Sequence, residues 1–154
     1  MITHRFFAAV VLAGAFVSAV TPAAAQVRDA RYRGTLICSS LPFLKGYLRP
    51  MMTLTVKGSS AEYTQPVVDA EKGLQIGTET GSGSIDDRAI KLSGGWRGGP
   101  QSYEATYTGT FVRRAARLTG RQFWTHEGKT YTRTCAGALK RPFAVFLKRG
   151  AANQ

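Results

Sequence analysis

The sequence predicts an all-β protein: an antiparallel up-and-down barrel of about eight strands, closed by one disulfide. Three observations predict it. Beyond Gln26 the apolar and polar residues alternate with period two, and no stretch carries a convincing helical period. The alternating runs are short and are separated by Gly, Pro, Asp and Ser clusters that make turns. The two cysteines, Cys38 and Cys135, sit in the first and last clear runs, so a bond between them would lay the chain ends side by side. Strand count and alternation allow a two-sheet sandwich as the alternative.

Residues 1–25 read as a signal peptide. Arg5 with His4 supplies the charged start, Phe6 to Val20 the apolar core, and Ala23 and Ala25 the small residues before a cut at Gln26. A membrane anchor is the other reading, but the apolar run is short for a span of about 20 residues. No cysteine follows the cut, so a lipoprotein anchor is not indicated. The expected product is periplasmic or extracellular, with a single domain over 26–150 and a tail at 151–154. Two cysteines in an exported chain usually pair. Closing so long a loop stabilises by about 4.7 kcal/mol in the chain-entropy model. Two buried free thiols are the alternative.

The strands follow in order. Arg31–Ser39 places Tyr32, Gly34, Leu36 and Cys38 on one face. The link Ser40–Pro50 is rich in apolar residues (Leu41, Phe43, Leu44, Tyr47, Leu48) and is expected to cover an open end of the fold. Met51–Lys57 turns at Gly58-Ser59-Ser60 into Ala61–Gln65, which Pro66 is expected to stop. Val67–Gly73 is a charged connection. Leu74–Thr80 alternates through Leu74, Ile76 and Thr78, and Gly81-Ser82-Gly83 is expected to break or bulge it. Asp86-Asp87 marks a turn. Arg88–Trp96 precedes the loop Arg97–Pro100. Ser102–Val112, with Tyr103, Ala105, Tyr107, Gly109 and Phe111 on one face, is the cleanest half-buried strand. Ala115–Thr125 and Lys129–Leu139 flank the hairpin turn His126-Glu127-Gly128. Phe143–Leu147 is a terminal apolar segment, strand or helical turn.

The net charge is +12, and residues 101–154 carry ten Lys and Arg against only Glu104 and Glu127. Such asymmetry favours anionic partners: anionic lipid head groups, acidic polysaccharide or an acidic envelope protein, beside an anionic small molecule. Export makes nucleic acid a poor partner. A basic surface that only aids solubility is equally compatible.

The set Tyr32-x-Gly34-x-Leu36-x-Cys38, Leu92-x-Gly94-x-Trp96, Tyr107-x-Gly109 and Arg133-x-Cys135 resembles small exported proteins of Gram-negative bacteria to which no activity is assigned. The resemblance covers about residues 31–141. In outline the chain is also similar to avidin-like and lysozyme-inhibitor barrels. These resemblances imply the fold and carry no site residue over.

Catalytic chemistry finds little to work with. Past the signal segment only His126 could serve a histidine-based triad or metal site, and it falls in a turn. No metal, cofactor or phosphate-loop motif is present, and Asp86-Asp87 lacks EF-hand spacing. Glu62 and Glu104 would form an acid pair for a hydrolase only if their strands met. A non-enzymatic binding module is therefore the first expectation. Alternation puts Tyr131, Arg133 and Cys135 on one face. If that face is internal, Arg133 lies near Gln122 and Trp124, with Trp96, Tyr103 and Tyr107 as aromatic walls. A buried arginine needs an anionic partner, which a small anionic or amphipathic ligand would supply. The alternatives are that Arg133 faces solvent, or pairs with Glu104 or Glu79. A second expectation is a basic surface for docking, an inhibitor or envelope adaptor. It would use Arg113, Arg114, Arg117, Arg121 and Arg149, with Phe123 exposed among them.

Overall fold

The structure, a computed structural model, describes residues 29–44, 49–69 and 72–142. The expected signal segment, Phe143–Leu147, Arg149 and the 151–154 tail lie outside them. Among the described residues there are strands β1 (Ala30–Cys38), β2 (Met51–Lys57), β3 (Ser60–Val68), β4 (Gln75–Asp86), β5 (Ala89–Gly98), β6 (Gln101–Val112), β7 (Ala115–His126) and β8 (Lys129–Lys140). Each pairs antiparallel with the next, and β8 returns to β1, so the sheet is a closed barrel and not a sandwich. Closure removes every exposed sheet edge.

The closing seam is fixed by the sulfurs. Cys38 and Cys135 face each other directly in the β1–β8 register, with Cα atoms 4.0 Å apart, and are bonded. Ser39 continues the seam by one residue: its N–H donates to the Thr134 carbonyl, and its hydroxyl accepts from the Thr134 N–H.

Two expectations need correction. Pro66 does not stop its strand; it pairs with Thr78 inside β3, and the register shifts only between Val67 and Val68. The β2–β3 ladder ends at Thr53–Thr64, so beyond Thr64 a residue without an N–H costs no bond on that side. Gly81-Ser82-Gly83 does not interrupt β4 either; all three residues keep register with β3 and β5. Here glycine makes room. A Cβ on Gly81 would collide with the Tyr63 ring inside the barrel.

The two ends of the barrel differ. At one, which we call the turn end, two-residue turns join β2 to β3, β4 to β5 and β6 to β7. The other, the link end, holds the long β1–β2 and β3–β4 connections together with the β5–β6 and β7–β8 turns. The described start of the β1–β2 link covers this end, while Tyr47 and Leu48 of the expected cover lie outside the described residues. Leu41 and Leu44 close a tight turn by exchanging backbone bonds, and Leu41 is buried. Phe43 stacks on His126 at 4.2 Å and meets Trp124 and Tyr131 at 6.0 and 5.0 Å.

Candidate functional site

The six residues expected to line a ligand site all point inward and lie together in the link-end half. Trp96 and Tyr103 come from paired positions on β5 and β6, and Tyr103 and Trp124 from paired positions on β6 and β7. Gln122 opposes Arg133 across β7 and β8. Tyr107 sits one inward position deeper than Ala105 on β6. All six are buried, Arg133 with 4% of its surface exposed. Arg133 therefore faces the interior beside the disulfide, and its side chain does not face outward.

These residues do not surround an empty chamber; they pack. Tyr103 stacks on Trp124 at 4.2 Å, and the Arg133 guanidinium lies over the Trp124 ring at 4.9 Å. At the centre stands Glu79 of β4, with none of its surface exposed. Its carboxylate accepts from the hydroxyls of Tyr63 (2.7 Å), Tyr103 (2.6 Å) and Tyr107 (3.1 Å), from Gln122 Nε2 (3.2 Å), and from Gln65 Nε2. Gln122 Nε2 also donates to the Tyr107 hydroxyl at 2.7 Å. Its Oε1 accepts from Trp124 Nε1 (3.1 Å) and from Arg133 Nε (2.6 Å). Gln122 thus joins the buried anion to the buried cation without direct contact. The anion is satisfied by five donors, whereas the cation is held only in part, by an amide oxygen at Nε and by a ring.

The cluster holds its phenols neutral. Burial first, then the Glu79 charge, pushes Tyr63 and Tyr103 far above the usual phenol value of 10.0. Tyr107 rises for the same two reasons, partly offset by the amide donors Gln122 and Gln65. Burial pulls Arg133 below the usual guanidinium range, while Tyr103, Tyr107 and Glu79 oppose that pull.

Arg133 also reaches the link end. With Arg49, Tyr103, Pro50, Met51 and Val67 it lines a pocket of about 200 Å³ beside the β1–β2 link. Among the described residues, the acceptor for its guanidinium is Gln122, bonded to Nε; no acceptor pairs with either Nη group. A cationic fork, nineteen-twentieths buried, therefore borders an opening that a second guanidinium shares.

The chain matches no family model, no curated protein and no solved structure.

Other expected sites separate. Glu62 faces outward on β3 and Glu104 outward on β6, with β4 and β5 between them, so they form no acid pair. Arg113 and Arg114 make the β6–β7 turn, whereas Arg117, Arg121 and Phe123 run outward along β7 towards the link end. The expected patch is thus a line and not a cluster. Among the described residues no group of His, Cys, Asp and Glu is arranged for a metal ion.

The sequence offered Glu79 only as one possible partner of Arg133, because the alternation of β4 pointed it outward. Leu74 and Ile76 suggested that even-numbered residues face inward, yet these two are 62% and 47% exposed. The inward set is Gly77, Glu79, Gly81, Gly83 and Ile85. Three glycines in step with one carboxylate were the available signal. They leave space for Trp96 beside Gly77 and for the Tyr63 ring beside Gly81.

Proposed function

We propose that the protein is an exported binding module, without a chemical step of its own, that takes the anionic group of a small amphipathic ligand at the link end of the barrel. Arg133 grips the anion with its two Nη groups, Arg49 contributes a second charge, and Tyr103, Pro50, Met51 and Val67 cover the apolar part. The observation that carries this reading is Arg133 itself: almost wholly buried, held by Gln122 and Trp124, with its Nη groups at a pocket wall and unpaired among the described residues. Buried guanidinium groups are stabilised when a carboxylate or phosphate accepts their fork. At about 200 Å³ the pocket is below the usual range for drug-sized ligands, which favours a headgroup with a short carbon chain over a large cofactor.

Native mass spectrometry of protein purified without denaturation from an oxidising compartment of its own host tests this. The reading expects a retained anionic small molecule that is lost from Arg49→Ala, whose side chain is exposed, and from Arg133→Gln. A ligand-free wild type that also gains no thermal stability from short-chain carboxylates or phosphate monoesters would refute it. Retention of the same molecule by both variants would do so equally.

A further inference from the structure

A second surface lies on the outside of the barrel, independent of the pocket. Across β6, β7 and β8 the outward residues form four rows in register: Thr108–Thr119–Ala136, Thr106–Arg121–Thr134, Glu104–Phe123–Thr132 and Ser102–Thr125–Thr130. Two grooves follow these rows. One, about 630 Å³, is lined by Ser39, Thr106, Thr108, Thr119, Arg121 and Thr134. The other, about 320 Å³, is lined by Arg97, Ser102, Glu104, Phe123, Thr125 and Thr130. Arg121 and Phe123, two residues apart on β7, separate them. From Thr119 to Thr125 the track runs roughly 20 Å at the usual strand rise.

We infer that this face binds an extended acidic polysaccharide. Beside the apolar Ile37 and Ala136, the polar and aromatic groups on it each have a use for such a polymer. Serine and threonine hydroxyls both donate and accept, and so match a chain of sugar hydroxyls. Arg97 and Arg121 present forks for carboxylate or sulfate groups, with Arg117 further along β7. Phe123, 40% exposed between the grooves, offers a flat apolar surface to one sugar ring. Glu104 pairs with Phe123 in the register. A carboxylate there accepts from sugar hydroxyls, donors that a polyglutamate chain does not offer in its side chains. The polymer charge complements a chain of net charge +12.

The test is calorimetric titration of the oxidised protein with polygalacturonate, uncharged dextran, polyglutamate and phosphatidylglycerol vesicles at physiological ionic strength. Polygalacturonate is expected to bind most tightly and dextran not at all. Arg121→Glu, which loses a forked charge contact, and Phe123→Ala, which loses the flat apolar surface, should each weaken polygalacturonate binding about tenfold. Lys57→Glu makes the same charge change at the turn end of β2 and should alter it by no more than about twofold. Equal losses in Arg121→Glu and Lys57→Glu would overturn the inference, because general charge would then be the cause. So would polyglutamate or vesicles binding as tightly as polygalacturonate, or no binding by the wild type.

Discussion

The two halves of the barrel are made by the same strands but filled by opposite chemistry. Towards the turn end the interior holds Val56, Ile85, Ile90, Ala116, Leu118 and Leu139, all buried and apolar. Towards the link end it is Gln65, Glu79, Gln122 and Arg133 among Tyr63, Tyr103, Tyr107, Trp96 and Trp124. The first half gains from burial alone, at roughly 25 cal/mol per Å² of apolar surface. The second gains little net from its charges, since desolvating an ion pair costs about what the pairing returns. What it acquires is directionality: five donors converge on Glu79, although Gln65 Oε1 has no partner among the described residues, and Gln122 with the Trp124 ring holds Arg133 in place. The long links also gather at this end. In this molecule the aliphatic half stabilises the fold and the polar half orients a charge.

Alkaline titration should separate the halves most sharply. Tyr63, Tyr103 and Tyr107 have pKa values raised in the fold, so the stability they confer is complete below the unfolded phenol value of 10.0 and is lost as pH rises above it. Unfolding free energy should fall by up to about 4 kcal/mol per pH unit beyond pH 10, three protons at about 1.4 kcal/mol each. Urea melts across this range would measure it. Absorbance of the phenolate should show three of the six tyrosines ionising only as the protein unfolds.

The next largest effect concerns Glu79. Glu79→Leu strands five donors and the Arg133 charge, and should cost about 3 to 5 kcal/mol. Leu118→Ala in the other half should cost about 3 kcal/mol through its cavity. The difference lies in repair. Adding Arg133→Met to Glu79→Leu should recover at least about 1 kcal/mol in a double-mutant cycle, whereas adding it to Leu118→Ala should be additive. A neutral Glu79→Leu would remove the distinction between the halves.

Gly81→Ala should cost about 2 kcal/mol, because the new methyl displaces the Tyr63 ring from Glu79. The same substitution at Gly58 adds no clash, since nothing lies within 4 Å, and acts only through its positive φ of 56°. The smallest effect belongs to the turn end. Arg113 holds a φ of 57°, so Arg113→Gly should stabilise by about 0.5 kcal/mol. Thermal denaturation of these variants would rank them.

Much of this was legible in the sequence, for physical reasons that can be located. β6, β7 and β8 alternate cleanly because one side of each meets solvent and the other the core. Cys135 pointed inward to its partner, and parity carried Arg133 with it. The network residues Gln122, Trp124, Tyr103 and Tyr107 followed from the same parity. Glu79 and Gln65 did not, because a buried carboxylate contradicts the rule that polar residues face out. Its justification lies on four other strands: β3 supplies Tyr63 and Gln65, β6 supplies Tyr103 and Tyr107, β7 supplies Gln122 and β8 supplies Arg133. Exposed Leu74 and Ile76 reinforced the wrong phase. Pro66 misled for a related reason: whether a missing N–H matters depends on which neighbour the strand has at that point.

The most direct test of the central idea, a fixed interior arginine with its fork turned to an open pocket, is arginine side-chain NMR. The Nε–Hε resonance of Arg133, assigned through Arg133→Lys, should stand apart from the surface arginines, because it is held against Gln122 and the Trp124 ring. Titration with benzoate should shift this resonance and that of Arg49 in a saturable manner, leaving Arg31 and Arg88 unchanged. Shifts confined to the surface arginines, or an Arg133 signal that titrates with none of the added anion, would contradict the account.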